Sequence, residues 1–220
     1  MKILVACEES QEVCMAFRKK GHEAYSCDIQ ECSGGHPEWH IMGDALAFIN
    51  GFTTFMTCDG RVHYIVAHTS WDMIISHPPC TYMSKAGARF MYPTAGNVDP
   101  ERLREAIAAK KFFMKFLECN CPKVAIENPT PLKIVELPKP TQVIQPYEYG
   151  EPYSKRTLLW LKGLEPLKPT NIIKNYVPYL PSNTGGFSRG EGGSHGIVHN
   201  PKDASKTFKG IARAMAEQWG

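Results

Sequence analysis

The chain has 220 residues, 43% hydrophobic and 21% charged, a length and balance that suit one globular domain and exclude a disordered or fibrous chain. Its net charge of +3 permits an acidic partner such as nucleic acid without requiring one, and no stretch approaches the ~20 apolar residues of a membrane-spanning helix. Eight cysteines without the compact spacing of a disulfide scaffold, behind an N-terminus with no secretory apolar run, point to a reducing cytoplasm.

In chain order, "KILVAC" reads as a short buried strand, and "SQEVCMAFRKKG" as a helix capped by Ser10, with Val13 and Phe17 on one face and Gly21 as its stop. "EAYSCDI" supplies a second strand ending near Asp28, and "HIMGDAL" a third followed by Asp44. Cys27, Cys32, His36 and His40 are loosely spaced candidates for a metal, but the paired spacing of two intervening residues is absent and no metal is expected. Phe52 to Ser70 carries mixed signals and stays unassigned between strand and helix end.

"WDMIIS" is the next strand, and "VDPERLREAIAAKKFFMKFLECN" the strongest helix, with Asp99 as cap, Pro100 at its first position and Leu103, Ile107, Phe113, Phe116 and Leu117 on one side. "KVAIEN" is a further strand ending at Glu127, and "YSKRTLLWLKG" another with Lys155 and Arg156 at its entrance. Pro166 to Pro201 is loop-like and glycine-rich, and a final helix starts near Ser205 with Phe208, Ile211 and Met215 at helical spacing. Strands alternating with helices imply an open, mostly parallel α/β sheet flanked by helices, with ligands beyond the carboxyl ends of its strands, where Asp28, Asp44, Cys80 and Glu127 all fall.

Cys80 follows Pro78 and Pro79, which restrict the backbone and remove two amide donors at the end of a strand. Residue type alone leaves two readings open, a buried inert thiol and a nucleophile held in a fixed direction. Glu127 likewise suits a cap or a solvated strand end as well as an acid. Together, a thiolate and a carboxyl match the activation of an aromatic base carbon, the thiolate adding to the ring while the acid engages a ring nitrogen.

At "SHPPCTYMS", "IENP" and "YEYGEPYSKRTLLWLKG", in that order, the chain resembles the DNA cytosine C5 methyltransferases, in particular small phage-type members that lack a full target-recognition domain. The resemblance implies a Rossmann-like S-adenosylmethionine-dependent methyltransferase fold and methyl transfer to C5 of cytosine in DNA through a covalent cysteine adduct. Cys80 would attack C6, Glu127 would engage N3, and Arg156 would hold the base or the nucleophile loop. S-adenosylmethionine would lie against Ala6, Cys7 and Glu8 of the first loop, Ile29 and Pro78, with Asp28 near its ribose hydroxyls and Asp44 near its adenine. His77, Asn128, Lys155 and Arg189 would face the substrate, with His195 and His199 as further loop candidates.

Three features depart from the family pattern. The first loop, "CEESQ", has no glycine; His77 stands where a small or apolar residue is usual; and only about 40 residues, Glu165 to Ser205, occupy the place of a recognition domain. The chain therefore reads as one domain, residues 1–220, with a reduced loop-rich insertion at about 165–204. RNA, a free cytidine nucleotide or a base amino group are alternative targets, as is a noncatalytic nucleic-acid-binding role on the same fold. A separate recognition subunit or a homo-oligomer would then supply target reading.

Overall fold

The computed structural model describes residues 1–50, 54–64, 71–181, 197–199 and 205–220. In chain order the strands are β1 (Lys2–Ala6), β2 (Glu23–Asp28), β3 (His40–Met42), β4 (Thr54–Met56), β5 (Val62–Tyr64), β6 (Met73–Ser76), β7 (Val124–Pro129), β8 (Gln142–Ile144), β9 (Tyr153–Ser154), β10 (Thr157–Lys162), β11 (Val177–Pro181) and β12 (Ile197–His199). The helices are α1 (Glu12–Lys19), α2 (Ala88–Met91), α3 (Pro100–Glu118) and α4 (Lys209–Trp219). No helix among the described residues is long and apolar enough to cross a membrane.

A seven-stranded sheet in the order β3-β2-β1-β6-β7-β10-β8 forms the centre. β3, β2, β1, β6 and β7 pair in parallel, and β10 runs antiparallel to both β7 and β8, so the sheet is mixed with a single reversed strand. Ile3–Ala6 of β1 and Met73–Ile75 of β6 form continuous buried apolar runs because both sheet faces are covered. Successive side chains divide between two cores as the strand period requires. Leu4, Ile74, Val124 and Trp160 meet Phe113 and Phe116 of α3 on one face. Ile3, Val5, Met73 and Ile75 meet Val13 and Phe17 of α1 and Ile211 and Met215 of α4 on the other.

Several local expectations are corrected. Ser10 does not cap α1; Gln11 occupies the cap position at φ 62° without a side-chain bond to the helix amides, and the carboxylate of Glu8 accepts from the amides of Val13 (2.6 Å) and Cys14 (3.2 Å) instead. α3 does have Asp99 as cap, accepting from Arg102 N at 2.7 Å, but Ile107 is exposed while Ala106 is buried, so the inward face of the helix is turned by one residue from the expected one at this point. The last helix starts at Lys209 with Phe208 as its cap, a little later than its spacing suggests. β8 was not anticipated, and part of the unassigned segment forms the antiparallel β4–β5 hairpin.

Candidate active site

The chain passes from β1 outward through β2 and β3, then crosses back to lay β6 on the other side of β1. A crevice opens beyond the carboxyl ends of two strands whose connections leave in opposite directions. A cavity of about 490 Å³ lies there, within the size range of small-molecule sites. Cys7, Glu8 and Glu9 after β1, Asp28 and Ile29 after β2, Asp44 after β3, and His77 and Cys80 after β6 line it, with Thr207 ahead of α4.

The first loop reaches its shape without glycine. Cys7 (φ 59°) and Gln11 (φ 62°) both take the left-handed conformation that glycine adopts at least cost. The close approach is supplied from the opposite loop, where a Cβ on Gly34 would fall 2.6 Å from both Gln11 Cβ and Ser10 O. Buried Gln11 fastens the two loops, donating to His36 O (2.9 Å) and accepting from His36 N (3.1 Å), while Ser33 N donates to Glu9 O (2.8 Å). In the same loop His36 stacks on Trp39 and pairs with Glu38, and His40 of β3 bridges Ser26 Oγ and Gln30 O.

Acids occupy the β2 and β3 side of the cavity. Asp28 Oδ1 accepts from Gln30 N and Asp44 Oδ1 from Leu46 N, both at 3.0 Å, so each carboxylate is oriented by a local turn. Burial pushes the Cys7 thiol up to about 12, and the two aspartates add to the effect. Glu9 Oε2 is buried with no hydrogen-bond partner among the described residues, although its side chain lines the cavity.

At the other end, the proline-cysteine loop and the strand-end glutamate are fixed to each other. Asn128 Nδ2 donates to Pro78 O at 2.8 Å, and Leu132 N to Met83 O at 2.7 Å; Lys85 N donates to Thr130 O at 2.9 Å. Cys80 opens a tight turn, its carbonyl accepting from the amides of Met83 and Ser84, and Arg102 of α3 holds Thr81 O while lying over the ring of Tyr82. Burial raises the Cys80 thiol above its ordinary value, and the ammonium of Lys155 opposes that rise.

Glu127 is partnered on one oxygen. Its Oε2 lies 3.3 Å from His77 Nδ1 and accepts from Thr207 Oγ1 at 2.9 Å. Burial disfavours the carboxylate, but the hydrogen bond and charge of His77, helped by Lys155 and Thr207, hold it below the usual carboxyl range. For His77, burial works against the imidazolium, and Glu127 and Glu8 outweigh it, so its pKa is raised. Glu8 behaves in the opposite sense to Glu127, since burial lifts it to about 7 against the pull of His77 and the two helix amides.

No protein-family model and no curated protein matches the chain. Among solved structures it is similar to a prophage-encoded protein of E. coli provisionally described as a DNA modification methyltransferase, at 14% sequence identity and a TM-score of 0.45 over 79% of this chain and 52% of the other. The chain thus spans about half the length of that protein. Similarity of that degree carries no argument about function, which rests on the residues themselves.

The structure brings together, around one cavity, Cys7, Glu8, Asp28, Ile29, Asp44, His77 and Cys80 from the sequence-based candidates. Ala6 is buried at the end of β1, Pro78 is buried behind the turn, and Asn128 acts on Pro78 through its amide. Because β10 runs against β7, its first residues arrive at the carboxyl edge, and Lys155 lies close enough to Cys80, Glu127 and His77 to influence all three. Arg156 is exposed beside it. Arg189 and His195 lie outside the described residues, and His199 is described only as part of β12. Glu9 and Thr207 were missed by the sequence: one followed a residue already chosen, and the other is brought in from 80 positions beyond Glu127.

Proposed function

We propose that the chain is an S-adenosylmethionine-dependent methyltransferase acting on C5 of cytosine in DNA. The observation that supports this most is the placement of a thiol on the proline-cysteine loop and a carboxylate on β7, Cys80 and Glu127, in segments stitched together beside a cavity whose far side carries two strand-end acids. The cavity's groups fit the cofactor. Glu9 Oε2, buried and without a partner among the described residues, suits its ammonium, Asp28 its ribose hydroxyls, and Asp44 its adenine amino group; Ile29, 77% exposed at the cavity, offers an apolar face to the adenine ring.

When bound, the cofactor supplies the methyl group. The protein's own part is to add Cys80 Sγ to C6 of the base, present Glu127 to N3, and use Lys155 to favour the thiolate against the burial that opposes it. Lys155 is better placed for this than Arg156, to which the family resemblance assigns the basic role. Target reading falls to the residues between β10 and α4 or to a partner, which makes DNA, RNA and cytidine nucleotides the substrates to compare.

One observation favours a second reading, a nucleic-acid-binding protein without turnover: burial raises the Cys80 thiol. Labelled S-adenosylmethionine offered with DNA, RNA and cytidine nucleotides separates the two. Transfer to DNA that is abolished in Cys80→Ala, with cofactor binding retained, is the expected result, together with a denaturation-resistant adduct on DNA containing 5-fluorocytosine. Tight DNA binding by wild-type protein with neither transfer nor adduct would establish the second reading.

A further inference from the structure

The carboxylate proposed to meet the base has no spare proton. An isolated buried carboxyl tends to stay protonated, but Glu127 Oε2 is engaged by both His77 Nδ1, at 3.3 Å, and the Thr207 hydroxyl, at 2.9 Å. A hydroxyl that donates to a carboxylate stabilises its charged form. The nearest proton store is the imidazole, whose side chain is only 13% exposed and lines the cavity. Its second nitrogen, Nε2, is buried with no hydrogen-bond partner among the described residues, so the only ring contact to an acid that the structure shows is the one to Glu127.

The geometry points to His77 and Glu127 acting as a single acid, in which His77 stores the proton that Glu127 delivers to N3 of the target cytosine. This rests on the methyltransferase reading given above. The groups that face His77 are Glu8 from the loop after β1, Glu127 from β7, Lys155 from the β9–β10 connection and Thr207 from the segment before α4; the two acids outweigh the lysine and burial, favouring the imidazolium. His77 is a positioning residue, since it acts through Glu127 and does not itself touch the base.

The step balances as follows. Cys80, its proton lost to solvent, forms the Sγ–C6 bond; the C5–C6 π pair moves to C4–C5 and the C4–N3 pair to N3. Nδ1–H passes to Glu127 as the carboxyl gives a proton to N3, leaving neutral imidazole and carboxylate. C5 would then take the methyl group with the C4–C5 pair, the donor's methyl–sulfur bond breaking with its pair left on that sulfur and the N3 pair restoring the C4–N3 bond; the C5 proton leaves to solvent, its pair re-forms C5–C6 as the Sγ–C6 pair returns to Cys80, and N3 returns its proton to His77 and Glu127.

His77→Asn tests this, because its amide can still donate toward Glu127 but carries no transferable proton. Transfer to DNA is expected to fall by about 100-fold or more while S-adenosylmethionine still binds, with the loss of rate that wild type shows as His77 deprotonates at high pH absent from the variant. Transfer at the wild-type rate with the wild-type pH profile would overturn the proposal. Nuclear magnetic resonance gives a readout independent of turnover: the imidazole signal missing in His77→Asn should titrate above the ordinary histidine range in wild type and fall in Glu127→Gln. A signal titrating at or below the ordinary range overturns the shared proton whatever the activity. If the raised titration is seen and wild type methylates none of the three substrate classes, the methyltransferase reading falls and takes with it the role of His77 as proton source, while the pair itself remains.

Discussion

Glu8 carries two opposed demands. Its carboxylate caps α1, which favours charge at the positive end of a helix, yet it is wholly buried, which favours the neutral form strongly enough to place its pKa at about 7. A carboxyl raised in the folded state holds a proton that the unfolded chain releases near the ordinary value. Its contribution to stability is therefore complete below that value and is lost as pH rises through about 7. The raised pKa of His77 acts in the same direction, and the lowered one of Glu127 acts oppositely in acid. Glu8→Gln keeps an acceptor for Val13 N and removes the titration. It is expected to match wild type near pH 5 in urea unfolding and to exceed it above pH 8 by about 2–3 kcal/mol. Cys80 and Glu127 could be singled out from the sequence because each ends an apolar run beside proline, a local signal. His77 could be named as a candidate too, but not its partnership with Glu127 and Thr207, because His77 and Thr207, 130 positions apart, meet only through the fold.

At the level of elements, the legible features were those with a local cause. Asp99 ahead of Pro100 and a periodic apolar run specifies α3 in any context, and its cap forms as the sequence implies. Asp99→Ala is accordingly expected to cost about 1 kcal/mol, read as a lower urea midpoint with an unchanged slope. α1 shows where such reasoning fails. Ser10 has the preferred chemistry for a cap, but the turn that brings Glu8 back over the helix leaves the carboxylate, five residues before Val13, aimed at the free amides. β8 was illegible for another reason: three residues between prolines carry no periodicity, and only pairing with Thr157, Leu158 and Leu159 makes them a strand. Arg156 and Lys155 are neighbours that no sequence pattern distinguishes. The reversed strand decides which one influences the thiol.

Across the whole molecule, the core that covers one face of the sheet is joined to the site by α4. Its buried residues close one face of the sheet, and the turn that leads into it delivers Thr207 to Glu127. The helix can come this close because of Gly210, where a Cβ would lie 2.0 Å from the carbonyl oxygen of Tyr149, a backbone atom with little freedom to move. Gly210→Ala is expected to destabilise the fold by more than 1 kcal/mol and, by lifting the start of α4, to weaken the Thr207 bond to Glu127. Urea unfolding measures the first effect and the titration of His77 the second.

The reversed strand has a consequence for how the molecule is made. β10 lies between β7 and β8 in space but follows both in sequence, and among the described residues β8 pairs with no other strand. During synthesis, β7 must wait with an open edge until residues 157–162 have left the ribosome, and β8 cannot join the sheet before then. A chain stalled short of Lys162 therefore exposes an apolar strand edge of the kind that recruits other chains. The addition of β10, rather than the early βαβ unit, is the step that closes this edge against aggregation.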